Sequence, residues 1–286
     1  MTEQKKNEER PFGGEFWKGE GGDKWVQNID LYEHHLEELN GILLDRCAAA
    51  AGEAVLDVGC GGALTSIALA QRVTPSGRVL GVDVSPVILE VAKHRGRGIE
   101  NLDFRLADAG TEDLGEESFD LISSRFGVMF FNRPVAAFAN LRRLLKSGGR
   151  LVFICWRGFE ENPWMAVPAG AVFSVLPQPE QPGPEPDPDA PGPFSLGEEE
   201  RLRFVLEGAG FADISVEPVD TGMHMGNLDE ATHLVTQIGP AARAMAEATE
   251  ADRAAALVAI RSALQEFATP AGVVIPGACW IASAGG

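Results

Sequence analysis

Residues Val55–Ala70 read VLDVGCGGALTSIALA. The opening VLDV is apolar around one aspartate, as expected of a strand buried on both faces. GCGG then makes a flexible turn, and LTSIALA returns to apolar residues at helical spacing. Strand, glycine turn and helix in that order mark the place where doubly wound α/β domains hold nucleotide-like ligands.

The same alternation continues on both sides. Upstream, Tyr32, Leu36, Leu39, Leu43 and Cys47 recur at helical spacing and predict one amphipathic helix across 28–50. Residues 1–27 are polar and glycine-rich, with Phe12, Phe16, Trp17 and Trp25 among them, and read as a mobile arm able to fold over a neighbour. Downstream, RVLGVDV, LDFRLAD, FDLISSRF and RLVFICW read as strands. Helices are predicted between them over 63–72, 86–94 (with Ser85 as N-cap) and 134–145, the last closed by Gly148 and Gly149. Apolar strands separated by helices imply a parallel sheet covered on both faces. The fold class is therefore α/β, a doubly wound, mostly parallel seven-stranded sheet with an N-terminal helical arm and a helical lid insertion. The chain divides into an arm and helix (1–50), a Rossmann-like core (51–157), and lid segments with the last strands (158–286). Within the last part, Pro177–Pro193 is proline-rich and acidic and predicts an extended connector. A helix over 196–208, the strand FADISVEPV, a helical stretch over 228–268 and a final strand VVIPGACWIASA complete the reading.

Composition narrows the partners. The 286 residues carry a formal net charge of -18. So acidic a surface repels phosphate backbones and anionic lipid, which disfavours nucleic acid as a partner. No apolar run approaches the roughly 18–20 residues of a membrane helix, and the N-terminus has no apolar signal region. Cys47, Cys60, Cys155 and Cys279 are scattered, with no spacing suited to a disulfide framework or a metal site. These features predict a cytoplasmic protein with reduced thiols, no metal, no membrane insertion and a small-molecule partner. The oligomeric state is left open, a dimer among the options.

Asp57 selects among ligands for the glycine turn. A carboxylate ending the first strand would repel a pyrophosphate, which argues against a dinucleotide, and it suits a ligand bearing an ammonium. S-adenosylmethionine has an ammonium, a sulfonium and no phosphate. Asp83 ends the next strand, about 20 residues beyond the glycines, where a carboxylate accepts from ribose hydroxyls. Asp108 follows the third strand and is placed to accept from an adenine amino group. Three carboxylates at the ends of three neighbouring strands predict one crevice.

The stretches VLDVGCGG, GVDVSPVIL, FRLADA, FDLISSRFGVMFF and NLRRLLKSGGRLVFICW resemble the Rossmann-like (class I) S-adenosylmethionine-dependent methyltransferases. The likeness is greatest to the branch of the ubiquinone and menaquinone biosynthesis C-methyltransferases, and it is strong over 50–157. It implies that Asp57, Gly59, Cys60 and Gly61 line the methionine part of the cofactor. Asp83, with Val84 beside it, would take the ribose, and Asp108 and Ala109 the adenine. Arg125 and Phe126 would lie near the reactive methyl. The family usually has glycine where this chain has Ala63, and a methyl group there is expected to narrow the cofactor's approach.

Methyl transfer from a sulfonium is an in-line displacement. It requires alignment and exclusion of water, with a general base for a carbon or oxygen acceptor. His35 and His224 rank first as bases, ahead of His34 and His233, with Tyr32 an outside option. Met129, Phe130, Trp156 and Trp164 are the candidate walls of a substrate pocket. Asn162-Pro163-Trp164 superficially resembles the Asn-Pro-Pro-aromatic motif of adenine-modifying enzymes, but it follows the fifth strand and lacks the second proline, so it is set aside. The expected activity is methyl transfer from S-adenosylmethionine to a small, partly apolar molecule, leaving S-adenosylhomocysteine. A peptide or protein N-methyltransferase and a non-catalytic S-adenosylmethionine-binding protein are the alternatives.

Overall fold

Every residue of Ala54–Val58 (β1) is buried, so a layer must cover each face of the sheet it joins. Helices on either side of the strand in the chain supply these layers in the computed structural model, which describes residues 12–176, 189–237, 239–246 and 248–286. Ahead of β1 come Gly14–Lys18 (α1), Glu20–Gln27 (α2), Ile29–His35 (α3) and Glu37–Cys47 (α4). Behind it follow Leu64–Arg72 (α5), Arg78–Asp83 (β2), Pro86–Arg95 (α6), Leu102–Leu106 (β3), Phe119–Arg125 (β4), Pro134–Leu144 (α7) and Leu145–Trp156 (β5). The remainder holds Pro163–Val175 (α8), Glu199–Gly208 (α9), Ala212–His224 (β6), Leu228–Val235 (α10), Pro240–Ala246 (α11), Glu250–Gln265 (α12), Ala268–Thr269 (β7) and Gly272–Gly285 (β8).

The strands lie in the order β3-β2-β1-β4-β5-β8-β6, and the two-residue β7 pairs with β8. Strands β1 to β5 pair in parallel, whereas β8 runs antiparallel between β5 and β6. The order reverses between β1 and β4, the switch point at which such sheets open a crevice at their carboxyl ends. One hydrophobic core extends through both layers, with Leu43, Val55, Leu121, Phe138, Phe153 and Ala282 among its fully buried members.

The arm is fastened to this sheet by arginines. Arg150 on β5 donates to the Cys47 carbonyl at 2.7 and 3.0 Å and pairs with Glu53, satisfying the last turn of α4. Arg95 on α6 donates to Glu33 at 2.6 Å, to the Gly62 carbonyl at 3.2 Å and to Asp30 at 2.9 Å. It thus ties α3 to the glycine turn.

Several expectations need correction. The helix expected over 28–50 breaks at Leu36, which lets Tyr32 and His35 face the crevice while Leu39 and Leu43 pack on the sheet. Residues 14–27 form helices rather than a mobile arm; residues 1–11 lie outside the described residues. The helical stretch over 228–268 is three helices. The first starts with Asn227 and Glu230 in a reciprocal capping box, and Gly239 at φ 95° followed by Pro240 separates it from the second. Helix α8 was not anticipated. It is apolar on all sides, carries Pro168 in its interior and packs against α11 and α12. The connector expected at Pro177–Pro193 lies outside the described residues except for 189–193, where Asp189 pairs with Arg201.

Candidate active site

A cavity of about 370 Å³ lies across the carboxyl ends of β1 to β5, within the size range of small-molecule sites. One end of its wall carries Gly59, Gly61, Asp83, Val84, Asp108 and Ala109. The other carries Tyr32, His35, Met129, Phe130, Trp156 and Trp164, with Arg125 and Phe126 also on the wall. The structure therefore brings together most of the residues expected from the sequence.

The glycine turn is shaped by close approach. Gly59 takes φ 66°, and a Cβ there would stand 2.8 Å from the Cα of Gly127, just beyond β4. Ser124 holds this junction by donating to the Val58 carbonyl at 2.8 Å and accepting from the Gly127 N–H at 3.2 Å. Gly61 takes φ 55°, and a Cβ there would meet nothing within 4 Å, so its missing side chain leaves cavity space.

Three expected contacts are absent from the wall. Asp57 is 1% exposed and lies behind the turn, where the Ser66 hydroxyl donates to it at 2.5 Å. Burial pushes its carboxyl up to about 6, against the opposing pull of Arg125. The carboxylate thus lies beneath the loop and off the cavity wall. Cys60 turns its side chain into a small cluster with Ala63, Leu89 and Ala92. The Ala63 methyl is buried in that cluster and does not narrow the cavity, although Ala63 has the left-handed φ of 71° that explains a glycine elsewhere.

Asp83 keeps one face in the cavity. Its Oδ2 accepts from the Gly61 N–H at 3.1 Å and its Oδ1 from the Ser85 N–H at 2.9 Å. Each oxygen retains a lone pair for a diol. Burial raises its pKa, opposed by these backbone donors. Asp108 accepts from the Gly110 N–H at 2.9 Å through Oδ1, while its own N–H goes to Glu112.

At the opposite end Phe126, at φ 61°, stacks on Trp156 with ring centroids 4.3 Å apart. Trp156 meets Trp164 at 4.8 Å. Asn162 fixes Trp164: it accepts from the indole N–H at 3.0 Å and from the Ala278 N–H at 2.9 Å, and donates to the carbonyls of Arg157, Gly158 and Ala278. The Asn-Pro-Trp stretch is thus a fully bonded structural hub.

His35 is 6% exposed. Its Nδ1 lies 3.4 Å from the His224 carbonyl, a long contact in which only the histidine can donate. Nε2 is then a bare acceptor, buried with no partner among the described residues. Burial pushes the imidazole down to about 4, so it is neutral at pH 7. His224 itself is exposed and off the wall, because alternation along β6 sends Met223 inward instead. Its expected role as a base is corrected to a backbone one.

The two displaced pKa values oppose each other. A depressed His35 contributes stability above its unfolded value near 6.5 that is lost as pH falls toward 4. A raised Asp57 contributes stability below 3.8 that is lost as pH rises through about 6. From pH 7 down to pH 4.5 each is worth roughly 2 kcal/mol, with opposite sign. His35→Gln removes one side of this balance. The variant is expected to gain roughly 2 kcal/mol on the wild type over that interval. Urea titrations at both pH values check this, and a constant difference would refute it.

Residues 56–153 match the family model described as "Methyltransferase domain". The chain is 34% identical over 113 residues to aklanonic acid methyltransferase DauC of Streptomyces sp. (strain C5), a match covering 39% of this chain and 51% of that protein. It is 27% identical over 210 residues to demethylmenaquinone methyltransferase of Staphylococcus aureus, covering 70% of this chain and 86% of that one. Its fold matches YcgJ of Bacillus subtilis with a TM-score of 0.57 at 18% identity, covering 87% of this chain and 98% of that chain. The matched part thus spans about half the length of the first of these relatives. Over residues 56–153 the chain is thus similar to methyltransferase domains.

On this wall Asp83 keeps a free lone pair on each carboxylate oxygen, and Gly61 leaves open space beside it. The arm completes the enclosure. Besides Tyr32 and His35, it contributes Trp17 and Trp25 to the wall. Trp25 stacks on Tyr32 at 4.5 Å, and Trp17 meets Phe130 edge-on at 5.0 Å. Their indole N–H groups and the Tyr32 hydroxyl are buried with no partner among the described residues. Sequence reading marked the arm aromatics without giving them a place. Met165, Pro168, Leu234 and Pro240 on the far wall carried no sequence signal, because long-range packing alone brings α8, α10 and α11 to the cavity.

Proposed function

We propose that this chain transfers the methyl group of S-adenosylmethionine to a small, partly apolar molecule. One observation carries the reading: a single cavity joins the carboxylate-and-glycine wall of the methyltransferase domain to an aromatic wall holding one bare, buried imidazole nitrogen. The printed names of two relatives, which act on demethylmenaquinone and aklanonic acid, support a small-molecule acceptor.

When bound, the cofactor supplies an electrophilic methyl on a sulfonium. The chain's residues do the rest. Asp83 holds the ribose, and Asp108 with Ala109 frames the adenine. Phe126, Trp156 and Trp164 position a flat or apolar acceptor by shape and exclude water. His35, neutral and turned by His224, accepts a hydrogen bond from the methyl acceptor at Nε2 and so orients it.

Methyl-labelled S-adenosylmethionine, the purified protein and an extract of its source cells test this. Label is expected in the small-molecule fraction, above a boiled-protein control. His35→Gln should lower the transfer rate by about ten-fold or more at unchanged cofactor affinity. Label in the peptide or protein fraction would replace the reading with an N-methyltransferase acting on polypeptide. Binding without transfer would point to a non-catalytic cofactor-binding role.

A further inference from the structure

We propose that Arg125 binds the amino-acid carboxylate of S-adenosylmethionine, an inference that rests on the cofactor reading above. The sheet acts as a ruler. Strands β3, β2, β1, β4 and β5 are successive neighbours, set about 4.8 Å apart. Their carboxyl ends present Asp108, Asp83, the Gly59–Gly61 turn, Arg125 and Trp156 in that order. A ligand with its adenine at Asp108 and its ribose at Asp83 carries its amino-acid end past β1 to β4. Arg125 is the last residue of β4.

Among the described residues no carboxylate is hydrogen-bonded to Arg125. Its Nη1 is buried with no hydrogen-bond partner among the described residues, and burial lowers its pKa. Glu33 and Asp57 are the acidic groups whose charges reach it. Glu33 is held by Arg95 at 2.6 Å, and Asp57 accepts from Ser66 at 2.5 Å. A buried guanidinium without an acceptor is costly, and a planar donor fork matches a carboxylate. The cofactor carries one anionic group, its carboxylate. The same chemistry could be offered by an oxyanion on the methyl acceptor, and the test separates the two sources.

The experiment is calorimetric titration of the full chain with S-adenosylmethionine and with decarboxylated S-adenosylmethionine, which differs by the carboxylate alone. The wild type should bind the first about 30-fold more tightly than the second. Arg125→Met should erase that preference, weakening S-adenosylmethionine about 30-fold while changing the decarboxylated ligand less than about three-fold. Unchanged binding of the decarboxylated ligand also certifies that the variant is folded, and Arg125→Lys should recover part of the loss. Equal weakening of both ligands would overturn the proposal in favour of a structural role. Undiminished S-adenosylmethionine binding in Arg125→Met would overturn it too, and a raised KM for the acceptor would then assign Arg125 to the acceptor's oxyanion. If the Met variant does not fold, a wild-type preference near one-fold suffices to refute the assignment. A wild type that binds neither ligand brings down the cofactor reading itself.

Discussion

Alanine at Gly59 is expected to cost about 4 kcal/mol of stability, more than any other single methyl added to the site. Two effects add. The residue sits at φ 66°, a conformation that costs an L-residue about 1–2 kcal/mol. The new Cβ would also stand 2.8 Å from the Cα of Gly127. Overpacking of this kind costs about 1–3 kcal/mol, and here no rotamer relieves it, because the neighbour is backbone. The reciprocal change, Gly127→Ala, meets the Val58 carbonyl at 2.6 Å but has φ -83°. It should therefore cost less. The double variant should cost less than the sum of the two, because the first methyl parts the strands where the second would enter. Gly61→Ala is the control: its Cβ meets open space, so only the φ penalty applies to folding. Urea midpoints for the four proteins decide the matter. A Gly59→Ala loss below about 1 kcal/mol would mean that the β1–β4 junction yields easily.

Replacing Asp83 with alanine should weaken S-adenosylhomocysteine binding by about 100-fold or more. The side chain has two tasks. On the proposed reading it supplies acceptors for the ribose diol, and it holds the N–H groups of Gly61 and Ser85, which shape the turn. Alanine removes both and leaves two backbone donors without their partner. A single charge-assisted hydrogen bond is worth about 1.5–3 kcal/mol, so two lost to the ligand exceed the factor stated even after the carboxylate's desolvation cost is recovered. Asp83→Asn keeps one acceptor and should fall between. Asp108→Ala should cost far less, since its Oδ1 is already taken by the Gly110 N–H within its own turn. Calorimetry on the three variants tests the ranking; an unchanged dissociation constant for Asp83→Ala would remove it from the site.

The first half of the fold was legible because its boundaries are local. Glycine at 59 and 61, proline at 86 and 134, and apolar runs too short for helices each carry their own conformational meaning. Helix α8 was illegible for the same reason reversed. Pro168 argues against a helix, and a segment apolar on every side shows no period. The site divides along the same line. Asp83 and Asp108 follow from their positions after strands. Asp57 has the same local signature, yet its side chain points behind the loop to Ser66. The side-chain period of a strand separates these cases only once the exact end of the strand is known. Tyr32, Trp17 and Trp25 reach the cavity through the break at Leu36 and the ties of Arg95 to Glu33 and Asp30, contacts more than 60 residues apart in sequence. A choice between His35 and His224 needed the inward or outward sense of β6, which the sequence of that strand does not fix.

Strand β8 sits between β5 and β6, yet it follows both in the chain. During synthesis, β5 and β6 therefore emerge with bare edges facing one another and no strand to join them. Every backbone hydrogen bond on those two edges waits for residues 272–285 to clear the ribosome. For that interval the nascent protein carries two unpaired strand edges of the kind that recruit neighbours on a polysome or call for a chaperone. A chain cut between His224 and Gly272 would keep both of those edges unpaired for good.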